Sequence, residues 1–155
     1  MTVIKAVALD VDGVLTDGAV WWGPNGEEWK RFCFHDIMGV SRARKAGLVL
    51  ALISGEDSPL VDRFAEKMGI TDVYKGCRDK AAAIRQFADV HGHDLKEVAF
   101  MGDDINDVPA MEICGLPVSP ANGHPAARAA AKLVTHGAGG HGAVRELLDQ
   151  LLTGG

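Results

Sequence analysis

Short apolar runs alternate with stretches of helical period along nearly the whole chain. The runs at residues 4–9, 48–53, 72–74, 98–101, 116–118 and 133–135 read as strands, most of them buried on both faces. Between them, residues 39–46, 59–68, 79–90, 108–113, 125–131 and 142–152 carry helical spacing. The punctuation agrees with these bounds. Ser58 stands before Pro59 as an N-cap before a proline at the first helical position, and Gly69 follows as the stop. Asp79 is a further N-cap and Gly47 a further stop. Strands alternating with helices of this length predict an α/β fold, a doubly wound parallel sheet with helices on both faces, in one domain over 1–155. No internal repeat or linker interrupts it.

Residues 19–34 break the rhythm. Ala19-Val-Trp-Trp-Gly-Pro-Asn-Gly-Glu-Glu-Trp-Lys-Arg-Phe-Cys-Phe34 reads as a β-hairpin inserted after the first strand, turning at Gly-Pro-Asn-Gly. It holds all three tryptophans of the chain, Trp21, Trp22 and Trp29. A two-stranded ribbon cannot bury them by itself. It folds onto its own domain or is covered by another subunit, and the preference of tryptophan for interfaces favours the subunit contact.

Composition narrows the class. A chain of 155 residues buries roughly 68–70% of its unfolded surface, enough for one independent core. No run of about 18 apolar residues predicts a membrane span, and the first residues lead into a strand without a basic-then-apolar signal segment. A cytoplasmic location is therefore expected, with Cys33, Cys77 and Cys114 as buried free thiols. The net charge of −5 argues against nucleic-acid binding but leaves room for an anionic substrate where positive charge is concentrated locally.

The first strand ends abruptly in two carboxylates, Asp10 and Asp12, followed by Gly13. Charges inside a buried strand carry a large desolvation cost unless paired or bound to metal. The strand is therefore expected to stop at Asp10 and to present both acids at its carboxyl end, the edge where open parallel sheets bind ligands. A helix N-cap is the structural alternative; a calcium loop is disfavoured, because Val14 and Leu15 stand where further oxygen ligands are needed. The run at 98–101 repeats the pattern with Gly102, Asp103 and Asp104, and Asp107 follows. If both strands are central, carboxylates converge at one edge and repel unless a divalent cation lies between them. Hard oxygen ligands in an incomplete cage suit Mg²⁺.

Other strand ends add to the set. Ser54-Gly55-Glu56 precedes a helix and forms a phosphate cradle, or, for Ser54, a plain turn. Lys80 opens a helix where a cation opposes the macrodipole, which is explained if it faces the acids or a phosphate. Lys75 and Arg78 crowd beside it, and a solvated charge run fits Lys75 better than Lys80. Residues 137–142 match GxGxxG, but no second strand and no acid about twenty positions on follow, so dinucleotide binding is set aside. These glycines suit a loop that approaches a substrate or a neighbouring subunit. His91 and His93, with no cysteine nearby, read as a solvated helix end rather than a zinc site.

Asp10-Val-Asp-Gly-Val14, Ser54-Gly55, Lys80 and Gly102-Asp-Asp-Ile-Asn-Asp107 together resemble, in order and separation, the four motifs of the haloacid dehalogenase (HAD) superfamily of phosphohydrolases. The resemblance covers essentially the whole chain. Asp17-Gly18, the hairpin's Asn25-Gly-Glu-Glu, His35-Asp36 and the run 139–146 are similar to the capless branch, which includes 3-deoxy-D-manno-octulosonate 8-phosphate and nonulosonate (KDN) 9-phosphate phosphatases. The resemblance implies a Mg²⁺-dependent phosphomonoester hydrolase acting on a phosphorylated 2-keto-3-deoxy sugar acid. Asp10 would be the nucleophile, forming an aspartyl-phosphate, and Asp12 the acid and then the base. The metal would sit on the Asp10 carboxylate, the Asp12 carbonyl and Asp103, with Asp104 and Asp107 orienting that shell. Ser54 and Lys80 would hold phosphoryl oxygens, and Gly55, Glu56, Arg63, Lys67 and Arg78 would line the substrate site. Octulosonate phosphatases commonly carry arginine where this chain has Glu56; Glu56 and Lys67 are similar to the nonulosonate branch. That branch's helix arginine would fall on Phe64, with Arg63 as the neighbouring candidate. Family precedent implies a homotetramer whose hairpins associate and whose subunits close one another's sites. Accessory or fused subunits also occur in the group. Outside it, a phospho-receiver domain shares an acidic Mg²⁺ pocket and a lysine, but places its aspartate at the third strand end, where this chain has Tyr74-Lys-Gly-Cys77. A phosphomutase or phosphotransferase would use the same Asp10.

Overall fold

The computed structural model describes residues 2–154. Six parallel strands form one sheet: β1 (Ala6–Leu9), β4 (Val49–Ile53), β5 (Asp72–Tyr74), β6 (Val98–Met101), β7 (Leu116–Ser119) and β8 (Leu133–Val134). They lie in the order β5-β4-β1-β6-β7-β8. Counted within the sheet this is 3-2-1-4-5-6, one of the two common doubly wound orders, and not the other, the 2-1-3-4-5 order of receiver domains. The receiver alternative falls on that topology. β2 (Trp21–Trp22) and β3 (Glu28–Trp29) pair antiparallel as a separate ribbon, the expected insertion after β1.

Alternation along β1 builds the two helical layers, because successive side chains leave opposite faces. Val7 and Leu9 pack with Leu50 and Leu52 against α1 (Phe34–Lys45), α2 (Pro59–Met68) and α6 (Ala143–Leu152) through Val40, Phe64 and Leu147. Ala6 and Ala8 pack with Ala51 and Phe100 against α3 (Lys80–Val90), α4 (Val108–Ile113) and α5 (Pro125–Ala130) through Ile84, Phe87, Met111 and Ala127. Each enclosed Leu or Phe contributes about 1.5–3 kcal/mol relative to exposure, so the sheet edge is a stiff platform.

The cap residues act as the spacing predicts. Ser58 Oγ accepts the Leu60 N–H at 3.2 Å, and Gly69 closes α2 in the left-handed conformation at φ 66°. Asp79 accepts the Ala82 N–H at 3.0 Å and starts α3.

Other expectations need correction. α1 starts at Phe34 rather than at 39, because Cys33 makes no side-chain cap and leaves no start signal. Gly39 reads as a boundary but is mid-helix; a Cβ there would lie 3.2 Å from the Cα of Arg145, so α6 could not cross so closely. The paired part of the ribbon is shorter than 19–34, and Phe34 belongs to the helix. Of the three free cysteines only Cys114 is buried, its thiol pushed up to about 11 by that burial; Cys33 and Cys77 are half-buried. His91 is half-buried rather than freely solvated, its Nε2 lying 2.9 Å from Asp72 Oδ2. Lys75 is likewise engaged, in ion pairs with Asp57 and Asp62. Among the described residues no helix is long and apolar enough to cross a membrane.

Candidate active site

Register brings the acids together. Leu9 pairs with Leu52 on one side and Met101 on the other, and the Asp10 N–H donates to the Met101 carbonyl at 3.1 Å. Residues following β1, β4 and β6 therefore leave the sheet at one level, at its topological switch point. Asp10, Asp103 and Asp107 each offer a carboxylate oxygen within 4.8 Å of the others. Asp107 is fully enclosed: its Oδ1 accepts from Lys80 Nζ at 2.6 Å, and its Oδ2 accepts the N–H groups of Asp103 and Asp104 at 2.8 and 3.2 Å. Asp107 is thus committed to holding its neighbours, and Asp10 and Asp103 are the carboxylates left to face a ligand. Asp104 also lines the cavity in front of the cluster, its Oδ1 accepting the Ile105 N–H at 2.7 Å. Gly13, at φ 83°, is required here, because a Cβ would collide with the Asp103 carboxylate.

Lys80 is 3% exposed and lies 3.4 Å from Asp10 Oδ1 as well as 2.6 Å from Asp107, so the cation at the α3 N-terminus does face the acid cluster. Burial opposes its charge, but Asp10 and Asp107 outweigh that and raise its pKa. Burial foremost, then Asp107 and Asp103, hold Asp10 well above the usual carboxylate range against the pull of Lys80. Burial pushes Asp103 up to about 6. Three carboxylates against one ammonium are under-compensated, and hard oxygen donors with open positions are what Mg²⁺ requires.

A stability measurement reads this directly. A carboxyl whose pKa is raised by folding stabilises the protein while protonated, fully below its ordinary value of 3.8, and loses that contribution as pH rises through about 6. The metal-free protein is therefore expected to lose several degrees of melting temperature as pH rises from about 4 through about 6, and Mg²⁺ should restore them above that range. Thermal unfolding with and without EDTA checks it; Mg²⁺-independent melting at pH 8 counts against a metal centre.

A cavity of about 620 Å³ opens in front of the cluster, walled by Asp10, Asp12, Gly55, Glu56, Arg78, Lys80 and Asp103 among others. Ser54 is fully buried beneath that wall, its Oγ accepting the Glu56 N–H at 3.1 Å. Two candidates are not brought in. Arg63 and Lys67 are exposed on α2 and do not line the cavity of their own chain. Phe64 points into the core and stacks on Phe32 at 4.9 Å between centroids, so Arg63, about 100° further round the helix, does not take its place.

Two features were not anticipated. Lys30, just past β3, reaches Asp12: its side chain is 4% exposed and Nζ lies 2.9 Å from Oδ1. The available signal was alternation, which places Glu28 and Lys30 on the ribbon face opposite Trp29. Within its own chain the glycine loop at 137–142 approaches the turn that carries Asp10 and Asp12. The Gly140 N–H donates to the Val14 carbonyl at 3.2 Å, and a Cβ on Gly139 would collide with the Gly13 carbonyl. Glu146 accepts from the His136 and Gly137 N–H groups at 2.9 and 3.0 Å, and Asn122 Oδ1 accepts the Gly139 N–H at 2.9 Å, fixing the loop from behind.

The sequence model of the haloacid dehalogenase-like hydrolases matches residues 33–147. The chain is 41% identical to the 3-deoxy-D-manno-octulosonate 8-phosphate phosphatase KdsC of Salmonella typhi over 149 residues, 96% of this chain and 79% of that one. It superposes with a TM-score of 0.94, at 37% identity, on the Moraxella catarrhalis 3-deoxy-D-manno-octulosonate 8-phosphate phosphatase solved with magnesium ion, phosphate ion and KDO, covering 97% of this chain and 86% of that one. The cobalt-bound Haemophilus influenzae phosphatase gives 0.93 at 35% identity, covering 97% and 88%. With a parallel sheet of this order, acids gathered at its switch point and relatives matched over nearly its full length, the chain belongs to the haloacid dehalogenase-like hydrolase family.

Proposed function

We propose that the protein is a cytoplasmic, Mg²⁺-dependent phosphatase that hydrolyses the phosphomonoester of a 2-keto-3-deoxy sugar acid. The observation that carries this reading is Asp10 on the wall of the cavity, with Lys80 Nζ 3.4 Å from its carboxylate and Asp103 beside it. An Asp10 oxygen attacks phosphorus and the bond to the sugar oxygen breaks, while Asp12 gives that oxygen its proton. Water then attacks the aspartyl-phosphate, Asp12 takes its proton, and inorganic phosphate leaves with Asp10 regenerated. Lys80 offsets charge between carboxylate and phosphate dianion throughout. Mg²⁺ on Asp10, Asp103 and the Asp12 carbonyl would supply the remaining positive charge.

Glu56 on the cavity wall bears on the choice of acid. A carboxylate there accepts from hydroxyl or amine groups of the sugar chain and does not pair with the substrate carboxylate as an arginine would. The named relatives act on octulosonate 8-phosphate, whereas Glu56 favours the longer nonulosonate 9-phosphate. Phosphate release from both, and from neutral sugar phosphates, should show Mg²⁺-dependent turnover of the acids, with kcat/KM higher for the nonulosonate ester. Absence of release from any sugar-acid phosphate would sink the proposal.

The exposed apolar patch supports a homotetramer. Trp21, Trp22 and Trp29 are 59%, 77% and 53% exposed, and Phe34 and Met38 continue the surface onto α1. A mass in solution about four times that of the chain is expected; a single-chain mass counts against this assembly.

A further inference from the structure

The ribbon also reaches the chemistry. Lys30 Nζ sits between two carboxylates, 2.9 Å from Asp12 Oδ1 and 3.8 Å from Glu28 Oε2. Glu28 is itself fastened: its Oε1 accepts the Trp22 indole N–H at 2.9 Å, and its Oε2 accepts from Ser58 Oγ at 3.4 Å. Among the described residues Lys30 is the only ion-pair partner of Asp12. An ammonium with a side chain 4% exposed is not a solvated surface charge, because desolvating it is costly unless its partners are fixed. Lys30 is also absent from the cavity wall, behind Asp12, which is on it.

The geometry points to Lys30 as a positioning residue for Asp12: it fixes the carboxylate that moves the proton, and it ties that carboxylate to the tryptophan-bearing ribbon through Glu28. This rests on the phosphatase reading, in which Asp12 serves the water-attack step. The fixed carboxylate accepts the proton as the water oxygen bonds to phosphorus and the aspartyl oxygen departs. Without Lys30 the Asp12 side chain loses its anchor, and that step slows while attack by Asp10 continues.

An aryl ester separates the steps, since p-nitrophenolate leaves without needing a proton. In rapid mixing with p-nitrophenyl phosphate and Mg²⁺, Lys30→Met should release its first equivalent of nitrophenolate at close to the wild-type rate. Its steady rate should then fall about 10–100-fold, the loss typical of removing a residue that orients a functional group. KM should fall with kcat, leaving kcat/KM little changed, and phosphorylated enzyme should accumulate. Lys30→Arg, which keeps charge and reach, should recover most of the steady rate. A wild-type steady rate in Lys30→Met, an equal loss of burst and steady rate, or an Arg variant no better than Met would overturn the assignment. Asp12→Asn run alongside keeps the two ideas apart. A burst followed by stalled phosphoenzyme upholds the parent mechanism whatever Lys30 does, and no burst removes the parent mechanism and the assignment with it.

Discussion

Asp10→Asn should abolish phosphate release, by at least about 10⁴-fold, while leaving a folded protein that melts higher than the wild type without metal at about pH 8. The two effects share one cause. Asp10 is 5% exposed, and burial together with Asp107 and Asp103 makes its ionised form costly. Asparagine has the same shape but no charge, so the repulsion around Asp107 is relieved as the nucleophile is lost. Mg²⁺ should raise the melting temperature of this variant less than that of the wild type, because one of the two carboxylates proposed to hold it, Asp10 and Asp103, is gone. Phosphate release and thermal unfolding with and without Mg²⁺ measure both; substantial turnover by Asp10→Asn would eliminate the covalent mechanism.

Gly139→Ala should be nearly as damaging, although Gly139 is not on the cavity wall. Its Cβ would strike the Gly13 carbonyl and lie 3.0 Å from the Thr16 carbonyl, both backbone atoms that no rotamer change can move aside. Either the glycine loop or the acid turn must shift. The loop is held by Asn122 and Glu146, so strain passes to Gly13, whose left-handed backbone leaves room for Asp103. We expect a loss of about 3 kcal/mol in stability and of about 10²-fold in kcat, since a displacement near 1 Å in an active site has that effect. Gly92→Ala is the control: φ is 67° but nothing lies within 4 Å of the added carbon, so it should cost only about 1 kcal/mol and no activity. Equal behaviour of the two variants would deny the glycine loop its role.

The strands and the acid cluster were legible because the chain marks them locally. An apolar run that stops at a carboxylate delivers it to the strand end, and this places Asp10 and Asp103 at one edge once both strands are central in the sheet. Ser58, Pro59 and Gly69 bounded α2 for the same reason. What was not legible depends on contacts far along the chain. The start of α1 has no capping side chain, and Gly39 makes sense only once Arg145 crosses it. Lys30 reads as one charge in a polar ribbon until the ribbon folds over Asp12. The positions of Arg63 and Lys67 followed family spacing, whereas helix phase, fixed by Phe64 in the core, turns them outward.

The confinement of every tryptophan to residues 21–29 has an optical consequence. Indole emission from this protein originates on the ribbon, at rings already more than half in water. Docking the ribbon against another chain will shift that signal to the blue, and separating the chains will reverse the shift, whereas melting the sheet of an already separated chain will change it little. Fluorescence will therefore report assembly rather than the melting of the core.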